Sequence, residues 1–328
     1  MGCWSYKLNT IYFISLSMNI LITGGTGFIG TRLVKELKKA NHHLILLTRQ
    51  QKTSKDDAIT YITADLSDPS SLTAAFRDID VVYHNAAYAA DHGQKQMIYK
   101  INVTGTKVIA DLCIKHQVKH LIFTSSAGVY GFPNSTTPLV ETSEKHPLNP
   151  YQQSKVDAEQ WLQSLSDIKV SIIRPPLVLG SGGLASEIMI QRILQNNMVY
   201  IGSGDNTVPL VHVNDVAQIL RLTLEKDTKG TVFNVVSFHS TIKELMSLLC
   251  TYLHKPKPTK HVSYSLAYLS AIFYEHLSKD PSLTRFRVKT MGTTRRISAD
   301  KAKELLDFRP QYTLETTVSD MVKKHVTI

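Results

Sequence analysis

Cysteine is scarce in this chain: 3 residues in 328, at Cys3, Cys113 and Cys250, with no metal-ligand spacing and no way to pair fully. That excludes a disulfide scaffold and gives no reason to expect a metal site, and it fits a reducing, cytoplasmic location. Long apolar runs are also missing. The stretch Thr10–Leu16 is too short to span a bilayer, and only Lys7 precedes it, with no small-residue cleavage site after it, which argues against a signal peptide. Tyr6 stands where a myristoylation signal needs Ser or Thr. Residues 1–18 therefore read as an extra N-terminal segment, with Met18 as a natural start. A long basic run is missing too. The net charge is +10, but Lys and Arg are scattered in pairs such as Lys38-Lys39 and Arg295-Arg296, and no nucleic-acid reader module is visible. The charge reads as a solvated basic surface able to attract an anionic cofactor, with no nucleic-acid partner and no firm membrane signal.

Internal repeats and low-complexity linkers are absent, and a composition of 43% hydrophobic and 20% charged residues is ordinary for a globular enzyme. From Asn19 short apolar runs alternate with amphipathic stretches. NILIT, HLILLT, ITYIT, DVVYHNA, KHLIFTSS and KVSIIRP read as strands, separated by helices that include Met97–His116 and Tyr151–Leu165. Continuous apolar strands alternating with helices imply a parallel sheet covered on both faces. The expected fold class is α/β, a Rossmann-type doubly wound parallel sheet with a smaller, mostly helical C-terminal substrate lobe. Residues 19–180 are expected to form the dinucleotide-binding domain, with 205–237 returning to it, and 181–204 and 238–328 the lobe. Cys113 falls on an apolar helical stretch and reads as a small core residue. His84 reads as a buried core histidine.

TGGTGFIG places Gly24, Gly27 and Gly30 between a strand and a helix. In that context the glycines have distinct uses: a tight turn, close backbone approach to a pyrophosphate, and close helix–strand contact beside a helix N-terminus that donates free N–H groups. The second strand ends in LLTRQQK, with Arg49 and no carboxylate for a ribose 2′-hydroxyl. A guanidinium there suits a 2′-phosphate, so NADP(H) is favoured over NAD(H), with Arg32 as a second candidate cation. Asp65 is placed to accept from the adenine amino group, and the small residues of Asn85, Ala86 and Ala87 let a cofactor cross the strand ends.

Tyr151 and Lys155 in YQQSK lie four apart at the start of a helix, so both project from one face. Hydride exchange at a carbinol carbon needs a partner for the hydroxyl proton. A phenol with its ordinary pKa near 10 is poorly poised, and a nearby ammonium and an oxidised nicotinamide would both lower it. Ser126 is a donor to the substrate oxygen, and Asn102 holds a water in a proton path or supports the region of Lys155.

These motifs, in order from TGGTGFIG through ADLSD, HNAA, NVTGT, SSAGVYG, YQQSK, RPPLVLG, VHVNDVA and FNVV to KAKELLDFRP, resemble the extended short-chain dehydrogenases/reductases over Asn19 to Val326. The pattern is nearest to the branch of 3β-hydroxysteroid dehydrogenases and dihydroflavonol-type reductases. The resemblance implies Tyr151 as acid/base, Lys155 as its activator and ribose ligand, and Ser126 as substrate-oxygen donor, with Asn102 completing the catalytic set. The cofactor set it implies is Gly24, Thr26, Gly27, Phe28, Ile29, Gly30, Arg49, Asp65, Leu66, Asn85, Ala86, Ala87, Tyr151, Lys155, Pro175 and Val178. Members often dimerise through the two long helices flanking the fifth strand, so a homodimer is a further expectation of the resemblance.

Departures from the family pattern bear on the reaction. Ala127 and Gly128 stand where sugar dehydratases carry an Asp-Glu pair, and Val208 stands where sugar-nucleotide enzymes commonly carry a pyrophosphate-binding arginine. Asp307 replaces the usual glycine of the closing motif, a loop change. The expected function is an NAD(P)(H)-dependent oxidoreductase interconverting a carbonyl and a secondary alcohol on an uncharged, fairly apolar small molecule. A sugar-nucleotide epimerase and a non-catalytic dinucleotide sensor are the alternatives. Ser265–Leu277, rich in Leu, Tyr, Ile and Phe, is expected first as an ordinary core helix and second as a lipophilic lid or membrane-contacting helix. His212 reads as structural, bonded to a neighbouring backbone group.

Overall fold

Successive strands point alternate side chains to opposite faces, and here both faces are apolar. The computed structural model, which describes residues 17–226 and 230–326, accordingly buries one sheet between two cores. The extra N-terminal segment, apart from Ser17 and Met18, and Cys3 lie outside the described residues. The sheet has seven strands, all parallel, in the spatial order Ile59–Thr63, His43–Thr48, Asn19–Thr23, Val81–His84, His120–Thr124, Lys169–Arg174, Val232–Asn234. On one face Leu21, Ile45, Val82, Leu121 and Phe123 pack against Ile109, Ala110, Cys113, Ala158 and Leu162. On the other, Ile20, Ile22, Leu46 and Tyr83 pack against Leu33, Leu37, Val216, Ile219 and Leu220 of the helices Phe28–Lys38 and Val213–Glu225. The strand order reverses between Asn19–Thr23 and Val81–His84, which opens a crevice at their carboxyl ends, where ligands bind in open α/β sheets.

The chain leaves this sheet at Pro175-Pro176, which offer no N–H to a ladder. Leu177–Leu179 then starts a second, three-stranded sheet with Thr207–His212 (parallel) and Phe238–Thr241 (antiparallel). Within the stretch 205–237, expected to return to the dinucleotide-binding domain, the strand Val232–Asn234 joins the main sheet and the helix Val213–Glu225 covers its face. Thr207–His212 belongs to the second sheet, whose core joins Leu179, Ile190, Val208, Leu210, Leu245, Leu249 and Met321.

Other expectations also change. The helix expected over Met97–His116 is Lys95–Tyr99 and Gly105–Lys115, joined by a wider π-helical turn at Lys100–Thr104. Beyond Ser240 the strands His261–Val262 and Arg296–Ile297 pair with Tyr200–Ile201 and Pro138–Leu139, and at two residues each they are too short to show a period. The apolar helix spans Tyr264–Leu277 and is not an ordinary core helix. Only Ala267 and Ala271 are buried, while Leu266, Leu269, Phe273 and Leu277 face outward.

Two of the fingerprint glycines stand where the turn has no room for a side chain. Gly24 has φ +67, and a Cβ there would meet Ala86 N at 2.8 Å, while a Cβ on Gly30 would lie 2.1 Å from Gly24 O. Neither neighbour can move without shifting main chain. A Gly30→Ala substitution is expected to destabilise the fold by about 1–3 kcal/mol, read as a lower urea midpoint. Gly27→Ala, whose Cβ would meet only Gly24 O at 3.2 Å, should cost less than about 1 kcal/mol.

Candidate active site

The crevice is built from strand ends inward. At the first turn Gly27 N donates to Gly24 O (3.0 Å), and the helix Phe28–Lys38 begins with no side-chain cap. The amides of Phe28, Ile29 and Gly30 have no hydrogen-bond partner among the described residues, the normal state of a helix start facing a ligand. Opposite, Asn85 N donates to Thr23 O (3.2 Å) and Ala86 N to Thr23 Oγ1 (3.1 Å), which seats Asn85–Ala87 against the glycine turn. The Asn85 carboxamide oxygen accepts from Thr124 Oγ1, and its buried Nδ2 is left without a partner. A free helix N-terminus, an orphaned buried amide and an open face at Gly27 fit an anionic ligand with polar groups lying across the strand ends.

Arg49 is exposed at the end of the second strand, near enough to Asp65 to help hold that carboxyl below its usual range, after the larger pull of the Ser67 amide. One Asp65 oxygen accepts from Ser67 N (2.7 Å). Leu66 packs against Gly105, where a Cβ would meet Leu66 Cβ at 3.3 Å. Arg32 is turned elsewhere: its Nη2 donates to Ser181 O (2.9 Å), so it is not a second cation beside Arg49. Thr26 is exposed in the turn, Ile29 is half-buried, and the Phe28 ring lies against Gly183. Pro175 O accepts from Ala127 N (2.9 Å), and Val178 pairs with Val211 just beyond, so that segment runs beside Ser126.

Tyr151 and Lys155 enter on the helix Pro150–Gln163. Asn149 caps it by accepting from Gln152 N (2.9 Å), and Pro150 occupies the first turn. Lys155 is buried; its Nζ donates to Thr124 O (2.9 Å) and lies 4.5 Å from the Phe123 ring centroid. Burial lowers its pKa to about 8, against the pull of Glu159. Tyr151 is half-buried, and burial pushes its phenol up to about 12, while a hydrogen bond with Ser126 pulls the other way. The expected depression of this phenol by Lys155 is therefore not a property of the protein alone. Desolvation sets the direction, and the Lys155 ammonium is directed at a carbonyl. Ser126 Oγ accepts from Gly128 N (3.0 Å).

Asn102 sits in the widened helical turn with all its polar atoms engaged. Its Nδ2 donates to Tyr88 O (3.1 Å) and Ser154 Oγ (3.0 Å), and its Oδ1 accepts from Tyr88 N (2.7 Å). It thus pins the loop after the fourth strand to the helix of Tyr151, leaving no donor for a water chain. His84 and His212 are structural as expected. His84 is buried between Thr23 and Thr106, with its pKa lowered to about 3 by burial. His212 accepts from Asn214 N, meets Asp320 and stacks on Tyr312 at 3.5 Å. Beside Asn149 and Pro150 a cavity of about 360 Å³ opens, bounded across by Asp91, Glu275, Arg285 and Phe286.

The sequence reading missed the group behind the site. Glu159, one helical turn beyond Lys155, is fully buried and forms a two-toothed pair with Arg174 at 2.9 and 2.6 Å. It also accepts from Ser125 Oγ (2.5 Å) and meets Lys145 Nζ (2.8 Å). Arg174 further donates to Tyr130 Oη (2.7 Å), which donates to Asn234 Oδ1 (2.8 Å). A signal was present: an arginine inside the apolar run KVSIIRP needs a buried carboxylate. Glu159→Ala, which strands Arg174, is expected to cost about 3–5 kcal/mol in urea unfolding, and Glu159→Gln less.

The comparisons agree with this architecture. Residues 20–236 match the model of the NAD dependent epimerase/dehydratase family. The chain is 26% identical to a mouse (Mus musculus) sterol-4-alpha-carboxylate 3-dehydrogenase, decarboxylating, over 94% of this chain and 91% of that one. It is 29% identical to an Escherichia coli O157:H7 N-acetyl-alpha-D-glucosaminyl-diphospho-ditrans,octacis-undecaprenol 4-epimerase, over 86% of this chain and 88% of that one. The solved structure of MoeE5 in complex with UDP-glucuronic acid and NAD shares the fold, with a TM-score of 0.77 at 22% identity, covering 94% of this chain and all of that one (100%). With a parallel doubly wound sheet, a glycine turn at its switch point and a family match across most of its length, the chain belongs to the NAD dependent epimerase/dehydratase family, within the extended short-chain dehydrogenases/reductases.

Proposed function

We propose that this protein is an NADP(H)-dependent oxidoreductase that interconverts a carbonyl and a secondary alcohol on an uncharged, fairly apolar small molecule. The observation that carries the reading is the grouping of Tyr151, Ser126 and buried Lys155 at the mouth of the crevice whose other wall is the Gly24–Gly30 turn. The dinucleotide supplies or accepts the hydride. The free amides of Phe28, Ile29 and Gly30 hold its diphosphate, Asn85 offers its unpaired amide, and Arg49 reaches the 2′-phosphate. Ser126 orients the substrate oxygen. Tyr151, whose phenol burial holds well protonated, hands its proton to that oxygen on reduction, and Lys155 stabilises the phenolate left behind.

The two carboxylates at the neighbouring cavity are each paired with an arginine, leaving Lys95 as a lining cation without an ion-pair partner among the described residues. Asp91 pairs with Arg287 and Glu275 with Arg285, each at 2.7 Å. A sugar-nucleotide epimerase is the second reading, favoured by the resemblance to the undecaprenol-linked 4-epimerase. Such a substrate needs a cation for its diphosphate. Val208 is buried in the second core, and Arg295, joined to the neighbouring Thr207 by its backbone, spends its guanidinium on the carbonyls of Lys289, Thr290 and Thr293. That weighs for the first reading.

NADPH oxidation against ketones, sterols and sugar nucleotides tests it: turnover of ketones or sterols is expected, and turnover of sugar nucleotides alone would replace it. Tyr151→Phe should lower kcat at least about 100-fold with cofactor affinity retained. Reductive kcat/KM should hold level at lower pH and fall as pH rises through about 8, where Lys155 loses its proton. In a fluorescence titration NADPH is expected to bind about tenfold or more tightly than NADH, with Arg49→Ala closing the gap. Tighter NADH binding would overturn the role of Arg49.

A further inference from the structure

The helix Tyr264–Leu277 is built inside out. Its small residues Ala267 and Ala271 pack, with Tyr264 and Tyr268, against Val288, Leu283 and Val262. Its large ones, Leu266, Leu269, Phe273 and Leu277, are 58, 64, 62 and 69% exposed. Their spacing of three, four and four residues sets them in one stripe about 16 Å long, on the face opposite the alanines. A globular helix normally shows water its polar side, and a contiguous exposed stripe of this kind marks an interaction surface.

Charge identifies the occupant. The stripe is preceded by His254-Lys-Pro-Lys-Pro-Thr-Lys-His261, which carries Lys255, Lys257 and Lys260 and no acid. Pro256 and Pro258 keep this segment extended, and His261–Val262 anchors its end beside Tyr200–Ile201. Lys257 and Lys260 are exposed. The single acid between Leu253 and Leu277 is Glu275, and it is tied to Arg285. Thus an apolar stripe adjoins an uncompensated basic segment. A second copy of this chain meeting the stripe across a twofold axis would bring like-charged segments together, whereas an anionic lipid surface takes both features at once.

We propose that the exposed face of the helix Tyr264–Leu277, with the basic segment His254–His261, docks the protein on an anionic lipid surface. The stripe enters the headgroup–acyl boundary and the lysines meet the lipid phosphates. No helix among the described residues is long and apolar enough to cross a membrane, so the contact is interfacial. The proposal is independent of which reaction the site performs.

The full chain is tested by co-sedimentation with phosphatidylcholine vesicles, with and without phosphatidylglycerol, at low and high salt. Binding is expected to require phosphatidylglycerol, to weaken with salt, and to fall about tenfold or more in Leu269→Ser/Phe273→Ser. Lys257→Glu/Lys260→Glu should lose the preference for phosphatidylglycerol. Circular dichroism and thermal midpoint, both expected unchanged, show that these exposed changes leave the fold intact. Absence of vesicle binding by the native chain, equal binding to both vesicle types, or undiminished binding by the double serine variant overturns the proposal. A concentration-dependent dimer dispersed by the same variant, without vesicle binding, assigns the face to a second copy and also overturns it.

Discussion

One buried ion pair joins the parts of the site. Glu159 and Arg174 lie in the interior with both carboxylate oxygens and the guanidinium engaged. Through them four segments meet: the helix of Tyr151 and Lys155, the Ser125–Ser126 strand end, the Arg174–Pro175 exit, and Tyr130 with Asn234. Burying two charges is costly unless each is satisfied, so such a pair is weak evidence for net stability. Its geometric effect is stronger. A displacement of any one segment breaks a charged hydrogen bond in a low-dielectric interior, which confines Ser126, Tyr151 and Lys155 to one arrangement. Asn102 does the same on the other flank with neutral groups.

Within that frame burial acts on two proton-bearing groups in opposite senses. It raises the phenol of Tyr151 to about 12 and lowers the ammonium of Lys155 to about 8. Both effects disfavour charge. The pair therefore sits as a protonated phenol beside a readily deprotonated ammonium, which suits proton donation more than abstraction. In the oxidative direction the positive charge of an oxidised nicotinamide would have to supply what the protein's interior withholds.

The main sheet was legible because its strands are continuous apolar runs, and each ends in a residue with a recognisable local use: Gly24 after the first strand, Asn85 after the fourth, Ser126 after the fifth. Lys155 could be placed from its spacing to Tyr151. What escaped was long-range. Glu159 and Arg174 become partners only when a helix and a strand are docked, and Arg32 finds Ser181 only across the crevice. The widened turn at Lys100–Thr104 leaves the apolar period of its helix nearly intact, so periodicity shows one helix where the backbone makes three segments. Two-residue strands carry no period at all. In the helix Tyr264–Leu277 apolar residues occupy every side, so periodicity cannot say which side packs.

That last ambiguity divides the molecule in a physically sensible way. Groups with chemistry to perform need fixed distances, and they stand on the ends of parallel strands and on a helix locked to them. The walls of the neighbouring cavity come from different material: the loop at Asp91–Lys95, the approach Leu148–Pro150, and helices at Glu275 and Arg285–Phe286. These are joined to one another by pairs whose arginine side chains are partly exposed, Asp91 with Arg287 and Glu275 with Arg285. Such pairs hold position weakly compared with the Glu159 network. Under the proposed reaction, a change of substrate would fall on these cavity walls while Tyr151, Ser126 and Lys155 keep their places.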